Sequence, residues 1–216
     1  MGNFETKKEN RLPCQGGHRK KHFKDNKDMK TSFIFLADGF EEVEALTSVD
    51  VMRRAGMPVV TVSINEGPAV TGAHGVTVMA DSVFGDNDYS DAEWLVLPGG
   101  VPGAPNLAGH EALCELLRAH DRKGGYIGAI CASPAVILAP LGLLDGRDAV
   151  CYPGMEVPSA EVSWKSGVPV AISGNVVTGN GPAAASPFAL TMVAQSMGRA
   201  VADQVAGGML LGPITC

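Results

Sequence analysis

The run Gly128-Ala129-Ile130-Cys131-Ala132-Ser133 joins an apolar stretch that predicts a strand, Tyr126–Ile130, to a segment that opens a helix at Ser133–Leu138. Small residues at Ala129 and Ser133, two positions either side of Cys131, let the main chain turn sharply and lift the side chain above a sheet. That is the steric logic of a nucleophile elbow, with sulfur in place of the serine oxygen. A thiol at a helix N-terminus lies at the positive end of the dipole, so the spacing predicts a pKa below the free value of about 8.5 and a thiolate at neutral pH. The bland alternative is a small buried core cysteine.

Two further segments have chemistry to offer that elbow. In Leu97-Pro98-Gly99-Gly100, at the end of a neighbouring strand, glycines let backbone N–H groups approach a ligand as an oxyanion hole requires, although a Pro-Gly-Gly loop by itself is commonly only a turn. Glu41-Glu42-Val43-Glu44 opens the first helix; two of its three acids read as ordinary dipole partners, while Glu44 can point over the sheet toward the thiol. A carboxyl buried there has its pKa raised by desolvation and by like charge, and a protonated one can donate to sulfur. Histidine is the usual base for a cysteine nucleophile. Of His74, His110 and His120, the last two fall on a helix that reads as a solvated surface, which leaves His74, in a loop before an edge strand, as the candidate. Neither G-x-G-x-x-G nor a Walker loop occurs, and Asp38-Gly39-Phe40-Glu41 after the first strand would repel phosphate, which argues against a flavin-binding flavodoxin.

Strand-like runs alternate with helical ones, the signature of a mainly parallel sheet covered on both faces, here a flavodoxin-like three-layer α/β/α sandwich. Strands are predicted at Ser32–Ala37, Pro58–Ile64, Trp94–Leu97, Tyr126–Ile130, and around 170–173 and 176–178, with a short edge strand or hairpin arm at Val76–Met79. Helices are predicted from about Glu41 to Ala55, with Val43, Leu46, Val49 and Met52 on an inward face, from about Asn106 to Asp121, and at Ala183–Met197. Ligands of such sheets bind at the carboxyl edge, where the elbow and the Pro-Gly-Gly loop both lie.

The chain of 216 residues has 45% apolar composition, enough for one sizeable core. Residues 1–29 read as a basic, disordered extension and 30–216 as a single domain. The first 28 residues hold eight Lys/Arg against four acids, so the net −6 of the whole leaves −10 on the remainder. A body that acidic argues against nucleic acid or anionic membrane as partner. No stretch has the ~20 apolar residues of a membrane span. Cys14, His18 and His22 have a loose metal-ligand look without a fourth ligand, and five unpaired-looking cysteines fit a reducing cytoplasm.

In this order, Ala37–Gly56, Val96–Leu107, Gly128–Leu138 and Thr178–Val193 together resemble the ThiJ/PfpI family of the class I glutamine amidotransferase-like superfamily, most closely its branch with the parkinsonism-associated protein deglycase. The resemblance runs through nearly all of residues 31–208. It implies Cys131 as the reactive cysteine, Glu44 as its protonated partner, and the backbone N–H groups of Gly100 and Ala132 as oxyanion donors, with Gly99, His74 and Tyr152 as neighbours. An arginine of relatives falls on His74. It further implies a homodimer through the first helix region, and neither cofactor nor metal. Two departures matter: Ala132 follows the cysteine where peptidase-like members carry histidine, and Tyr152 in Cys151-Tyr152-Pro153 stands where the deglycase branch has histidine. Amidase or peptidase action therefore ranks last. The leading expectation is a cofactor-independent glyoxalase or deglycase acting on small carbonyls or on glycated protein or nucleotide adducts. The alternative is a redox sensor or holdase acting through oxidation of Cys131, without turnover.

Overall fold

The computed structural model describes residues 29–158 and 161–212. The basic segment 1–28, with Cys14, His18 and His22, lies outside the described residues.

Eleven strands are present among these residues: β1 Ser32–Leu36, β2 Val59–Ser63, β3 Ala69–Thr71, β4 Thr77–Met79, β5 Ser82–Val83, β6 Trp94–Leu97, β7 Tyr126–Ile130, β8 Asp148–Ala149, β9 Ser163–Trp164, β10 Val170–Ser173 and β11 Val176–Gly179. Seven form one sheet in the order β10-β11-β7-β6-β1-β2-β5. Only β10 runs antiparallel, joined to β11 by a hairpin. The sequence-predicted architecture is therefore the observed one, a mainly parallel sheet between two helical layers.

The alternation of side chains along each strand builds two cores. Ile34, Leu36, Trp94, Val96, Ile130 and Val177 face α1 (Glu42–Arg54), α4 (Ala185–Met197) and α5 (Arg199–Gly208). Phe33, Phe35, Leu95, Leu97, Ile127 and Ala129 face α2 (Gly103–Ala108) and α3 (Glu111–Arg122). Both faces being buried explains why the strands read as continuous apolar runs rather than alternating ones. Every parallel strand ends at the same edge, and the loops after β1, β6 and β7 meet there.

Four details depart from the sequence expectation. The inward face of α1 is not the Val43–Leu46 stripe: Val43 is 52% exposed and Leu46 40%, while Glu42, Glu44, Ala45, Ser48, Val51 and Met52 are buried. The helix has turned its carboxylates inward at its N-terminal end. The helix expected from Asn106 to Asp121 is two helices broken at Gly109-His110, where the His110 ring accepts from the Leu113 N–H and caps α3 (3.1 Å). His120 is not solvated but buried, its Nε2 3.1 Å from the Tyr126 carbonyl. Beyond α4, Gly198 ends the helix and α5 follows, a second cover for the same core where the sequence pattern predicts no element.

Candidate active site

The elbow is built by backbone first. The Cys131 N–H donates to the Gly179 carbonyl (2.9 Å), carrying the β7–β11 ladder one residue past the strand, and the Tyr152 N–H donates to the Cys131 carbonyl (2.8 Å). Between these two anchors Cys131 adopts φ 63°, a left-handed conformation uncommon for a residue with a Cβ. The Ser133 hydroxyl then donates to the Pro98 carbonyl (2.5 Å), which ties the turn after β7 to the loop after β6. The sequence reading valued Ser133 for its size alone; a hydroxyl two residues after the cysteine was the signal for this cross-tie.

That loop brings glycines up to the sulfur. A Cβ at Gly99 would lie 2.6 Å from the Cys131 Cβ and 2.8 Å from Glu44 Oε2, so no side chain fits between thiol and carboxyl. Gly100 has φ 97°, and its backbone N–H, like that of Ala132, lies close enough to the Cys131 sulfur to favour the thiolate. The two donors expected at Gly100 and Ala132 thus converge on one atom.

Glu44 completes the cluster from α1. Glu41 caps that helix by accepting from the Glu44 N–H (2.7 Å), and the Glu41 N–H donates to the Gly99 carbonyl (3.0 Å), so the helix start is pinned to the glycine loop. Glu44 has no exposed surface. Its Oε2 accepts from the Gly99 N–H (2.8 Å), Oε1 has no hydrogen-bond partner among the described residues, and the Cys131 side chain lies beside the carboxyl across Gly99. A fully buried carboxylate with a single N–H donor is under-satisfied, which favours its protonated form. Burial, and secondarily the Glu41 charge, lifts the Glu44 pKa to about 7, against the pull of the Gly99 N–H.

For Cys131 the expected shift is reversed. Burial first, then the charge and hydrogen bond of Glu44, push the thiol up to about 12, outweighing the Gly100 and Ala132 N–H groups that favour thiolate. The expected helix dipole is a minor influence because the following helical segment is one short turn, Pro134–Leu138, and Cys131 is only 8% exposed. At neutral pH the pair holds a proton on sulfur beside an ionisable carboxyl. The arrangement is a thiol with its own base, not a free thiolate.

The remaining candidates divide. Tyr152 is next to Cys131 through its N–H bond to the Cys131 carbonyl, and the residue is 48% exposed. His74 is held instead by Glu42: its backbone N–H donates to Oε1 and its Nδ1 lies 2.7 Å from Oε2, a contact that raises the imidazole pKa. Neither Cys131 nor Glu44 is among its partners. Glu42, which reads in the sequence as a plain dipole partner, is thus the anchor of the β3–β4 hairpin. Glu41, Glu42 and His74 offer ligand atoms within 4.8 Å of one another, but both Glu42 oxygens are already engaged by His74. Cys151 is buried and its thiol pushed up to about 12, and Cys114 is buried on α3 with its thiol bonded to the Ala108 carbonyl (3.3 Å). Neither has an acid and two amide donors around it.

A doubly covered, mainly parallel sheet with a cysteine on the strand–helix elbow at its carboxyl edge defines a flavodoxin-like class of thiol proteins. Within that class the chain belongs to the DJ-1/PfpI family, whose model matches residues 30–195. It is 35% identical to Protein DJ-1 homolog A of Arabidopsis thaliana over 85% of this chain and 47% of that protein, so it spans about half the length of that relative. It is 34% identical to the glutathione-independent glyoxalase DJR-1.2 of Caenorhabditis elegans, over 76% of this chain and 87% of that one. The crystal structure of Drosophila melanogaster DJ-1beta superposes with a TM-score of 0.81 at 32% identity, covering 86% of this chain and all of that one. No described helix is long and apolar enough to cross a membrane.

Proposed function

We propose that the protein is a cofactor-independent glyoxalase or deglycase for reactive carbonyls, a cytoplasmic stress-response enzyme working through Cys131. The carrying observation is the Glu44 carboxyl sealed against Cys131 with two backbone N–H groups on the same sulfur. The glyoxalase name of the Caenorhabditis elegans relative supports the reaction class.

For methylglyoxal, the Glu44 carboxylate takes the thiol proton as sulfur adds to the aldehyde carbon. The carbonyl electron pair moves to oxygen, steadied by the Gly100 and Ala132 N–H groups, and receives that proton to give a hemithioacetal. Glu44 then removes the hydrogen on the same carbon as a proton and returns it to the adjacent carbon, while the hydroxyl proton passes from the first oxygen to the second. The first carbon is oxidised to a thioester and the second reduced to an alcohol, so no external oxidant or reductant is needed. Water cleaves the thioester, releasing lactate and the free thiol. A hemiaminal adduct of a protein or nucleotide amine enters at the same stage by exchange: the Cys131 sulfur bonds to the carbinol carbon as the C–N bond breaks, and the amine leaves with the thiol proton passed on by Glu44. Turnover of methylglyoxal lost in Cys131→Ala and kept in Cys114→Ala is the expected result; equal activity in the two variants overturns the reading.

A second reading rests on the same donors. A sulfinate at Cys131 would be met by the Gly100 and Ala132 N–H groups and by a protonated Glu44, which favours a redox sensor or holdase. Mild peroxide followed by mass spectrometry is its test, and no selective oxygen addition at Cys131 ends it. The exposed Val43 and Leu46 on α1 support a homodimer through that helix. Leu46→Glu is expected to halve the mass measured by sedimentation.

A further inference from the structure

The mouth of the site is built by five short segments: Asp38 to Glu44, Pro98 to Pro102, Ile130 to Pro134, Cys151 to Pro153 and Gly179 to Pro182. None contains lysine or arginine, and the charges they hold are Asp38, Glu41, Glu42 and Glu44. The lysines and arginines with ion-pair partners are committed elsewhere, to Asp50, Asp81, Asp91, Asp121, Asp148 and Asp203. Arg118, Arg122 and Lys123 lie on or just after α3. His74, the one cationic candidate, spends its ring on Glu42. A substrate carboxylate or phosphate arriving at Cys131 would meet carboxylates and no cation from these segments, which repels it.

Two apolar surfaces stand exposed at the same mouth. Val101, directly after the donor Gly100, is 65% exposed. The Tyr152 ring stands over the loop after β11: a Cβ at Gly181 would lie 3.4 Å from its Cδ2, so the ring rests on bare backbone there, held at the elbow by the Tyr152 N–H. Its hydroxyl has no hydrogen-bond partner among the described residues, so position and ring face, not a buried polar contact, are what the side chain offers a ligand.

Building on the glyoxalase reading, we infer that this site selects uncharged 2-oxoaldehydes with an aryl or branched apolar tail, and that the Tyr152 ring is the wall on which that tail lies. Tyr152 is a specificity residue here and carries no proton in the reaction. The selection is one of charge and of apolar area, and both are measurable.

The test compares phenylglyoxal, methylglyoxal and glyoxylate with the full chain. Phenylglyoxal is expected to exceed methylglyoxal in kcat/KM by about tenfold, through KM, and glyoxylate to fall below methylglyoxal by at least about tenfold. Tyr152→Phe keeps the first preference; Tyr152→Ala brings it to about one by raising the phenylglyoxal KM more than that of methylglyoxal. A preference unchanged in Tyr152→Ala, turnover lost in Tyr152→Phe, or glyoxylate consumed as well as methylglyoxal overturns the inference. Alkylation of Cys131 separates this outcome from failure of the enzymatic reading, since it needs no turnover. The ratio of iodoacetamide to iodoacetate rates at Cys131 is expected to exceed that of 2-mercaptoethanol about tenfold, and N-phenyliodoacetamide to outpace iodoacetamide in the wild type but not in Tyr152→Ala. Ratios equal to those of the free thiol overturn the inference even where 2-oxoaldehydes are turned over. Ratios as expected without any turnover uphold the selectivity and defeat only the proposed reaction.

Discussion

The two edges of the central sheet each hold a polar cluster, half-buried at one and buried at the other, and they are finished differently. At the edge where the strands begin, Asp121 Oδ1 accepts from Arg147 (2.9 Å) and from Asn175 (3.0 Å). Asn175 in turn accepts from Arg147 (2.9 Å) and donates to the Gly125 carbonyl (2.7 Å). Charge meets charge, and the amide between them is used on both sides. At the edge where the strands end, Glu44 Oε1 has no nitrogen or oxygen partner, Cys131 has a left-handed backbone, and the nearby charges are of one sign. The satisfied cluster holds the fold together. The unsatisfied one keeps a proton poised between two groups, because an environment that solvated either of them fully would fix it in place.

Four perturbations break or sharpen that contrast. Glu44→Gln removes the base while keeping shape, and should lower kcat/KM for methylglyoxal by about a thousandfold. The same change should flatten the pH dependence of folding. Glu44 is raised from 4.5 to about 7, so the native state holds more protons than the unfolded chain in that interval. Its stabilisation is full below about 4.5 and lost as pH rises through about 7, and denaturant titrations of the wild type at pH 5 and pH 8 should show that fall, absent in Glu44→Gln. Gly99→Ala wedges a methyl between Cys131 and Glu44 and is expected to cost about a hundredfold in turnover. Asp121→Ala, at the other edge, strands Arg147 and should destabilise by about 2 kcal/mol in urea, with kcat/KM within about twofold. The smallest effect is in the wild type itself: between pH 6 and pH 8 the methylglyoxal kcat/KM should rise about tenfold as Glu44 ionises, then stay level because Cys131 loses its proton only near 12. A profile flat across pH 6 to 8 would place the working base elsewhere.

Which parts of this were legible in the sequence follows the same division. The sheet, the elbow and the Pro-Gly-Gly loop were readable because local sterics and buried apolar runs dictate them. The face of α1 was not. Counting apolar residues at helical spacing assigns Val43 and Leu46 to the interior, whereas Glu42 and Glu44 are the buried ones. Periodicity measures what burial alone would favour, and a helix that delivers a carboxyl to a buried thiol violates that preference at its first turn. The thiol's protonation state failed for a related reason. Dipole and amide donors are local and visible in the sequence, while desolvation and the Glu44 charge arise only when the start of α1 is brought up to the turn after β7. His120 was misplaced on the surface because its acceptor, the Tyr126 carbonyl, belongs to the next strand rather than to its own helix.

The left-handed turn at residue 131 has a consequence for how the molecule tolerates change. Glycine would occupy that backbone comfortably, whereas alanine, serine and cysteine all resist it by about 1 kcal/mol. The chain is therefore less robust at this position than it would be with no side chain there, and drift toward greater thermal endurance pulls against keeping the sulfur.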